Sequence, residues 1–208
     1  MTLKRRSLVV LAVLVFCCAS ANAAEYPPLH NVRLLESPFL QAQERNIDYI
    51  MSMEADRLLA PYLEEAGLEP RAEKYGNWES SGLGGHIGGH YLSALSLAWA
   101  ATGRKDVKAR LDYMLGELRR AQQAHGDGYL GGVPDGRKLI EELAAGDVRA
   151  DLFGLNGSWV PWYNLHKTFA GLRDAWLFGG IPLARTMLVE WADWAAGLIS
   201  KLDDTQMQ

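Results

Sequence analysis

Tyr75-Gly-Asn-Trp78-Glu79-Ser-Ser-Gly-Leu-Gly-Gly-His86-Ile-Gly-Gly-His90-Tyr91 sets six glycines among two histidines, a tryptophan, a carboxylate and two tyrosines. Glycines let a backbone turn tightly and approach a ligand closely, while flat rings stack on apolar faces and the polar groups exchange hydrogen bonds with hydroxyls. Trp78, Glu79, His86 and His90 are therefore candidate sugar contacts. The competing reading is a capped loop, with the histidines bonded to backbone carbonyls and the tryptophan in the core. His86 and His90 also have the i, i+4 spacing of a metal pair, but glycines weaken the helix that would present them. The glutamate of H-E-x-x-H is missing as well, so no metal is assigned to this chain.

Trp159-Val-Pro-Trp162-Tyr163-Asn-Leu-His166-Lys167 is the second such stretch. Three aromatic residues beside a histidine near a helix start make a platform for a carbohydrate. The positive end of the helix keeps such a histidine neutral and able to bond hydroxyls. A buried aromatic cluster around a satisfied core histidine is the alternative. Asp127, in Gly126-Asp-Gly-Tyr129, reads as a turn residue. No P-loop, no G-x-G-x-x-G after a strand and no G-x-S-x-G elbow occurs. Glu79 and Asp127 are the carboxylates in these aromatic loops, whereas glycoside hydrolysis uses two groups across the bond, so the segment reads as half a site.

The elements that position these residues read as helices. Apolar residues recur at threes and fours from Phe39 to Leu59, with Ser37 as N-cap, Pro38 at the first helical position and Pro61 at the end. Helices are also expected over His90 to Thr102, nearly apolar all round, over Asp106 to Ala124, around Leu139 to Ala145, from Trp159 through Phe178 and from Pro182 to Leu202. No stretch alternates with period two beside hairpin turn residues, so the class is all-α.

An offset of 76 residues aligns His90 with His166, Ala94 with Ala170, Gly103 with Gly179, Val107 with Leu183 and Leu111 with Met187. Each copy reads as histidine, buried helix, glycine stop and amphipathic helix: a helical hairpin that needs neighbours to bury its faces. Two Ala- and Leu-rich hairpins also share periodicity by default.

With 49% hydrophobic and 22% charged residues, the 208-residue chain has a globular composition. A net charge of -4 with scattered Lys and Arg excludes a nucleic-acid footprint. Lys4, Arg5 and Arg6, the apolar run Ser7 to Phe16 and Ala21-Asn22-Ala23 form a secretory signal peptide over residues 1–23. Its apolar run is far shorter than the roughly 20 residues of a membrane-spanning helix. Cleavage removes Cys17 and Cys18, the two cysteines of the chain, and predicts a secreted or periplasmic product with no membrane attachment.

The motifs above, in this order, resemble those of the β-L-arabinofuranosidases of glycoside hydrolase family 127. The matching stretches are Asn31-Val-Arg-Leu34, Ser37-Pro-Phe39, Tyr75-Gly-Asn-Trp-Glu79, Gly85-His-Ile-Gly-Gly-His90-Tyr-Leu-Ser-Ala94, Gly126-Asp-Gly-Tyr129, Trp159-Val-Pro-Trp-Tyr163, His166-Lys167 and Ala170-Gly-Leu172. The resemblance implies an (α/α)6 barrel, or toroid, whose inner helices end at a sugar-binding funnel. It also implies a retaining mechanism with a cysteine nucleophile held near zinc and a glutamate acid/base. No cysteine here matches those groups, which the family carries in later helices.

Residues 24–208 are therefore expected to be the N-terminal portion of the catalytic domain: helical hairpins forming the first, incomplete part of the barrel. The resemblance places His166 on arabinose hydroxyls and puts Glu79, His86 and His90 at the same end of the barrel. Trp78, Trp159, Trp162 and Tyr163 would form the walls. The expected ligand is an arabinose-containing oligosaccharide or glycan. This stretch alone would be inactive, with no catalytic residue or cofactor of its own and zinc in the full-length enzyme. Two alternatives stand beside this: a non-catalytic helical module that binds glycans or a partner, and a different α/α-barrel enzyme such as a lyase.

Overall fold

Seven α-helices and one two-stranded hairpin make up the all-α fold in the computed structural model, which describes residues 28–207. The signal peptide expected over residues 1–23, with Cys17 and Cys18, lies outside the described residues. The helices are α1 (Pro38–Ser52), α2 (Ala55–Glu65), α3 (His86–Thr102), α4 (Lys105–His125), α5 (Gly136–Ala144), α6 (Pro161–Leu177) and α7 (Pro182–Ile199). A hairpin of β1 (Gly154–Leu155) and β2 (Ser158–Trp159) precedes α6. No helix among the described residues is long and apolar enough to cross a membrane.

Ser37 caps α1 by accepting the Leu40 N–H, with Pro38 in the first turn. The single helix expected up to Pro61 is two helices. Met53 and Glu54 are extended, because their backbone groups are taken elsewhere: the Met53 carbonyl accepts from Arg110, and the Glu54 N–H donates to the Tyr75 hydroxyl. Pro61 lies inside α2 rather than ending it, buried against Gly84 and Gly132. Its ring is kept by packing, at the loss of one helical hydrogen bond.

The helix expected from His90 begins one turn earlier, at His86, so Gly88 and Gly89 are helical. Both glycines mark close approaches. A Cβ on Gly89 would lie 2.3 Å from the Lys167 carbonyl carbon, one on Gly171 would lie 2.5 Å from the Gly89 oxygen, and one on Gly88 would lie 2.8 Å from the Tyr62 ring. Helices α3 and α6 therefore pack backbone to backbone and run parallel, with His86 beside Tyr163, Gly89 beside Lys167 and Leu92 beside Gly171.

Each of these helices turns into an amphipathic partner, α3 into α4 and α6 into α7. That is the repeated hairpin, although the left-handed glycine after α6 is Gly180 rather than Gly179. The core lies between the hairpins and α2, around Leu58, Tyr62, Leu92, Leu95, Leu111, Met114, Leu172 and Met187. Each fully buried aliphatic chain stabilises the fold by about 1.5–3 kcal/mol.

The β-hairpin was not expected, yet its turn is Asn156-Gly157, both with positive φ, as a two-residue hairpin turn requires. The Asn156 amide anchors it, donating to Glu142 on α5 and accepting from the Arg149 N–H.

Candidate functional site

The parallel packing of α3 and α6 brings their N-terminal turns side by side. Three buried hydrogen bonds lock that end: Asn164 on α6 donates to the Gly84 carbonyl (2.7 Å), and the Tyr62 hydroxyl of α2 donates to the Gly85 carbonyl (2.5 Å) while bonding Thr168 of α6 (2.7 Å). Burial pushes the Tyr62 phenol well above its ordinary range, so it stays protonated and keeps donating.

Glu79 is 3% exposed. One carboxylate oxygen accepts the Gly85 N–H (2.7 Å), and the other accepts the Ile87 N–H (2.9 Å) and faces His86 Nδ1 at 2.9 Å. It thus caps α3 from outside the helix, where the positive helix end favours an anion. Sequence placed Glu79 among the sugar contacts; its oxygens here are engaged by backbone and histidine.

His86 Nδ1 also lies 2.7 Å from the Leu83 carbonyl. Both of its neighbours are acceptors, which assigns a proton to Nδ1 and leaves Nε2 on the other side of the ring for a ligand.

His90 and His166 are exposed, and the His90 ring stands edge-on to His86 with centroids 6.4 Å apart. Although its surface is exposed, the protein around the His90 ring strips part of its hydration, and with positive charge nearby on Lys167, His86 and His166 this holds His90 below the ordinary histidine range, so it is neutral at neutral pH. Lys167 sits over the Tyr163 ring, 4.6 Å from its centroid, and Tyr163 is 6.2 Å from His86.

Trp78 and Trp159 meet with ring centroids 5.6 Å apart. Each adjoins a left-handed residue, Asn77 (φ 56) before Trp78 and Val160 (φ 39) after Trp159. A β-branched residue is a genuine outlier there, and such strain collects at functional sites. Trp162 lies apart from the histidines, in an apolar groove with Leu143, Leu155 and Leu198.

The structure thus gathers His86, His90, His166, Tyr163, Trp78 and Trp159 around one end of the helix pair, with Glu79 beneath and Trp162 to the side. Sequence reasoning passed over Lys167, although it adjoins His166. Asn164, Tyr62 and Thr168 carry no local signal, because their roles arise only when α2, α3 and α6 meet.

A cavity of about 630 Å³ adjoins the histidines, between the end of α1 and the Tyr75–Glu79 loop, with His86 in its wall. Asp127 accepts the Tyr129 N–H and pairs with Arg137, so it is a turn residue spent on structure.

The zinc implied by the resemblance finds no fit among the described residues: no three of His, Cys, Asp and Glu come together as a metal-holding group, and His86 and His90 lack a third ligand. No curated protein matches the chain. Residues 31–208 match the model of the "Beta-L-arabinofuranosidase, GH127 catalytic domain" family. That match spans most of the described chain, including the site just outlined, and the chain belongs to this family of glycoside hydrolases.

Proposed function

We propose that this chain is the sugar-holding part of an exported, retaining β-L-arabinofuranosidase that removes β-L-arabinofuranosyl residues from plant-type or hydroxyproline-linked glycans. The observation that carries the reading is the convergence of His86, His90 and His166 with two outward-facing tryptophans at the N-terminal ends of α3 and α6, in a chain of this family.

His86 Nε2 accepts from a sugar hydroxyl, held in that role by Glu79 on the far side of the ring. Neutral His90, with His166 beside it, exchanges hydrogen bonds with the neighbouring hydroxyls. Trp78 and Trp159 cover the apolar face of the sugar ring and exclude water, which strengthens those bonds. The attacking group and the proton donor come from outside residues 28–207, and the chain by itself binds without cleaving.

Replacing His166 with Ala in the full-length enzyme raises KM and lowers kcat, with kcat/KM falling about tenfold or more, as expected for a lost ligand hydrogen bond. Unchanged kinetics would remove His166 from the site. Binding of methyl β-L-arabinofuranoside to the chain, followed by NMR shifts of His86 and His90, tests the assignment independently of turnover. No shift at saturating sugar would overturn it.

A further inference from the structure

We propose that the cavity between α1 and the Tyr75–Glu79 loop is a second carbohydrate subsite. It takes the neutral sugar unit next to the one held by the histidines, so the site reads at least two linked units. The inference rests on the sugar-holding reading above and extends it to Tyr49 of α1, which neither motif contains, and to Asn77 within the first motif.

Size is the first argument. The volume of about 630 Å³ lies within the roughly 300–1,000 Å³ of small-molecule sites.

The walls are the second. Tyr49 of α1 is 67% exposed and Trp78 is 61% exposed, and both rings line the cavity. Tyr75, a third lining ring, is held in place: its hydroxyl is spent on the Glu54 N–H, and Arg57 covers one face at 4.0 Å. Aromatic rings lining a cavity suit the apolar face of a sugar ring.

The third argument is the polar groups. Asn77 and Tyr49 bond within the protein through their backbone carbonyls, to Ser80 and Ser52, which leaves the Asn77 amide and the Tyr49 hydroxyl without protein partners among the described residues. With His86 Nε2 they offer both donors and acceptors to hydroxyls. The one charged lining residue, Glu79, is buried and already engaged, so the lining suits a neutral unit rather than a uronate or phosphate.

Continuity is the fourth. His86 lines the cavity, and its ring also stands 6.4 Å from His90 and 6.2 Å from Tyr163. A glycan held at the histidines therefore has its next unit at the mouth of the cavity.

The test compares methyl β-L-arabinofuranoside with a β-L-arabinofuranosyl disaccharide, titrated calorimetrically into the wild-type protein and into Tyr49→Ala and Asn77→Gly. Tyr49 is a surface residue, and glycine preserves the positive φ at position 77, so both variants keep the fold; circular dichroism checks this. The wild type binds the disaccharide about tenfold more tightly than the monosaccharide, Tyr49→Ala loses most of that advantage, and Asn77→Gly loses about threefold, with monosaccharide affinity unchanged in both. Equal affinity for the two sugars in the wild type, or equal weakening of both in Tyr49→Ala, overturns the second subsite and leaves the histidine site standing. Binding of neither sugar overturns the histidine site, and the second subsite with it.

Discussion

Two glycine-rich loops of similar composition end in opposite ways. The Tyr75–Tyr91 loop leaves Trp78 in water and His86 in the wall of a cavity, whereas the His125–Pro134 loop buries its stretch from Tyr129 to Val133. In the second loop Tyr129 is fully buried, Asp127 is paired with Arg137, and the Gln122 amide donates to the carbonyls of Gly128 and Met187. Its glycines make room for the loop's own neighbours: a Cβ on Gly131 would lie 2.5 Å from the Tyr129 hydroxyl, and one on Gly128 would lie 2.6 Å from the Glu190 carbonyl oxygen. In the first loop Gly88 and Gly89 instead bring α2, α3 and α6 together, and the rings that leave no room inside face outward. Glycine content alone does not mark a site. What separates the loops is whether the space it opens is taken by the protein.

The largest effect comes from closing that space at the helix seam. In Gly89→Ala a methyl meets the Lys167 backbone, which no side-chain rotation relieves, so α3 and α6 move apart. Stability falls by about 3 kcal/mol or more in urea titration, and sugar binding is lost with it. Gly116→Ala in α4 has open space around it and gains about 0.5–1 kcal/mol, the helix-propensity difference. Gly128→Ala strains its positive-φ turn and costs about 2 kcal/mol, yet leaves the sugar affinity of the folded protein unchanged. Loss of affinity in Gly128→Ala would show that the two loops are not independent.

Next in size is the carboxylate beneath the site. Glu79→Gln replaces an acceptor of three bonds with an amide that places a donor against one of them. The loss is about 2 kcal/mol of stability, the scale of a charge-assisted bond. The His86 Nδ1 proton then keeps only the Leu83 carbonyl as its acceptor, so the Nε2-protonated tautomer gains population, which ¹⁵N NMR of the imidazole reads directly, and sugar affinity falls about tenfold. An unchanged tautomer would reduce Glu79 to a helix cap.

Helix positions, the repeated hairpin and the two aromatic stretches were legible because each rests on local periodicity or composition. The break at Met53-Glu54 was not, since it depends on Arg110 and Tyr75, distant residues that bond the freed backbone. Pro61 misled for the same reason: local rules end a helix there, but packing against Gly84 and Gly132 keeps it. Asn156-Gly157 was a readable hairpin signal hidden by strands of two residues, too short to alternate. Within the site, His86, His90 and His166 could be named from sequence. The difference between Glu79 as a contact and Glu79 as the support of His86 needed the hydrogen bonds themselves.

Acidity probes the site more gently. His90 is held below its ordinary value of 6.5 by burial and then by Lys167, His86 and His166. The unfolded chain binds this proton more readily than the folded one, so the stability linked to His90 is complete above pH 6.5 and declines as pH falls from there through the lowered folded value. Sugar binding follows the neutral ring and persists somewhat below pH 6.5 before it weakens. Lys167→Met removes one positive neighbour, so the His90 titration seen by NMR moves upward and binding weakens at a higher pH. No movement would remove Lys167 from the causes and leave burial with His86 and His166.

The smallest effect tests whether the strain beside Trp159 belongs to the site. Val160 holds φ 39 at the start of α6, a conformation costing a β-branched residue about 1–2 kcal/mol, while Asn156, four residues earlier, occupies the same region with a side chain suited to it. Val160→Asn relieves the strain and raises stability by about 1 kcal/mol by thermal unfolding. If the valine also fixes Trp159 against Trp78, the relaxed turn lets the two rings separate and sugar affinity drops a few-fold, so stability and binding move in opposite directions. A variant that gains stability and keeps full affinity would assign the strain to the entry of α6 alone. The reciprocal Asn156→Val brings the penalty into the hairpin, where it lowers stability by about 1–2 kcal/mol through lost turn geometry.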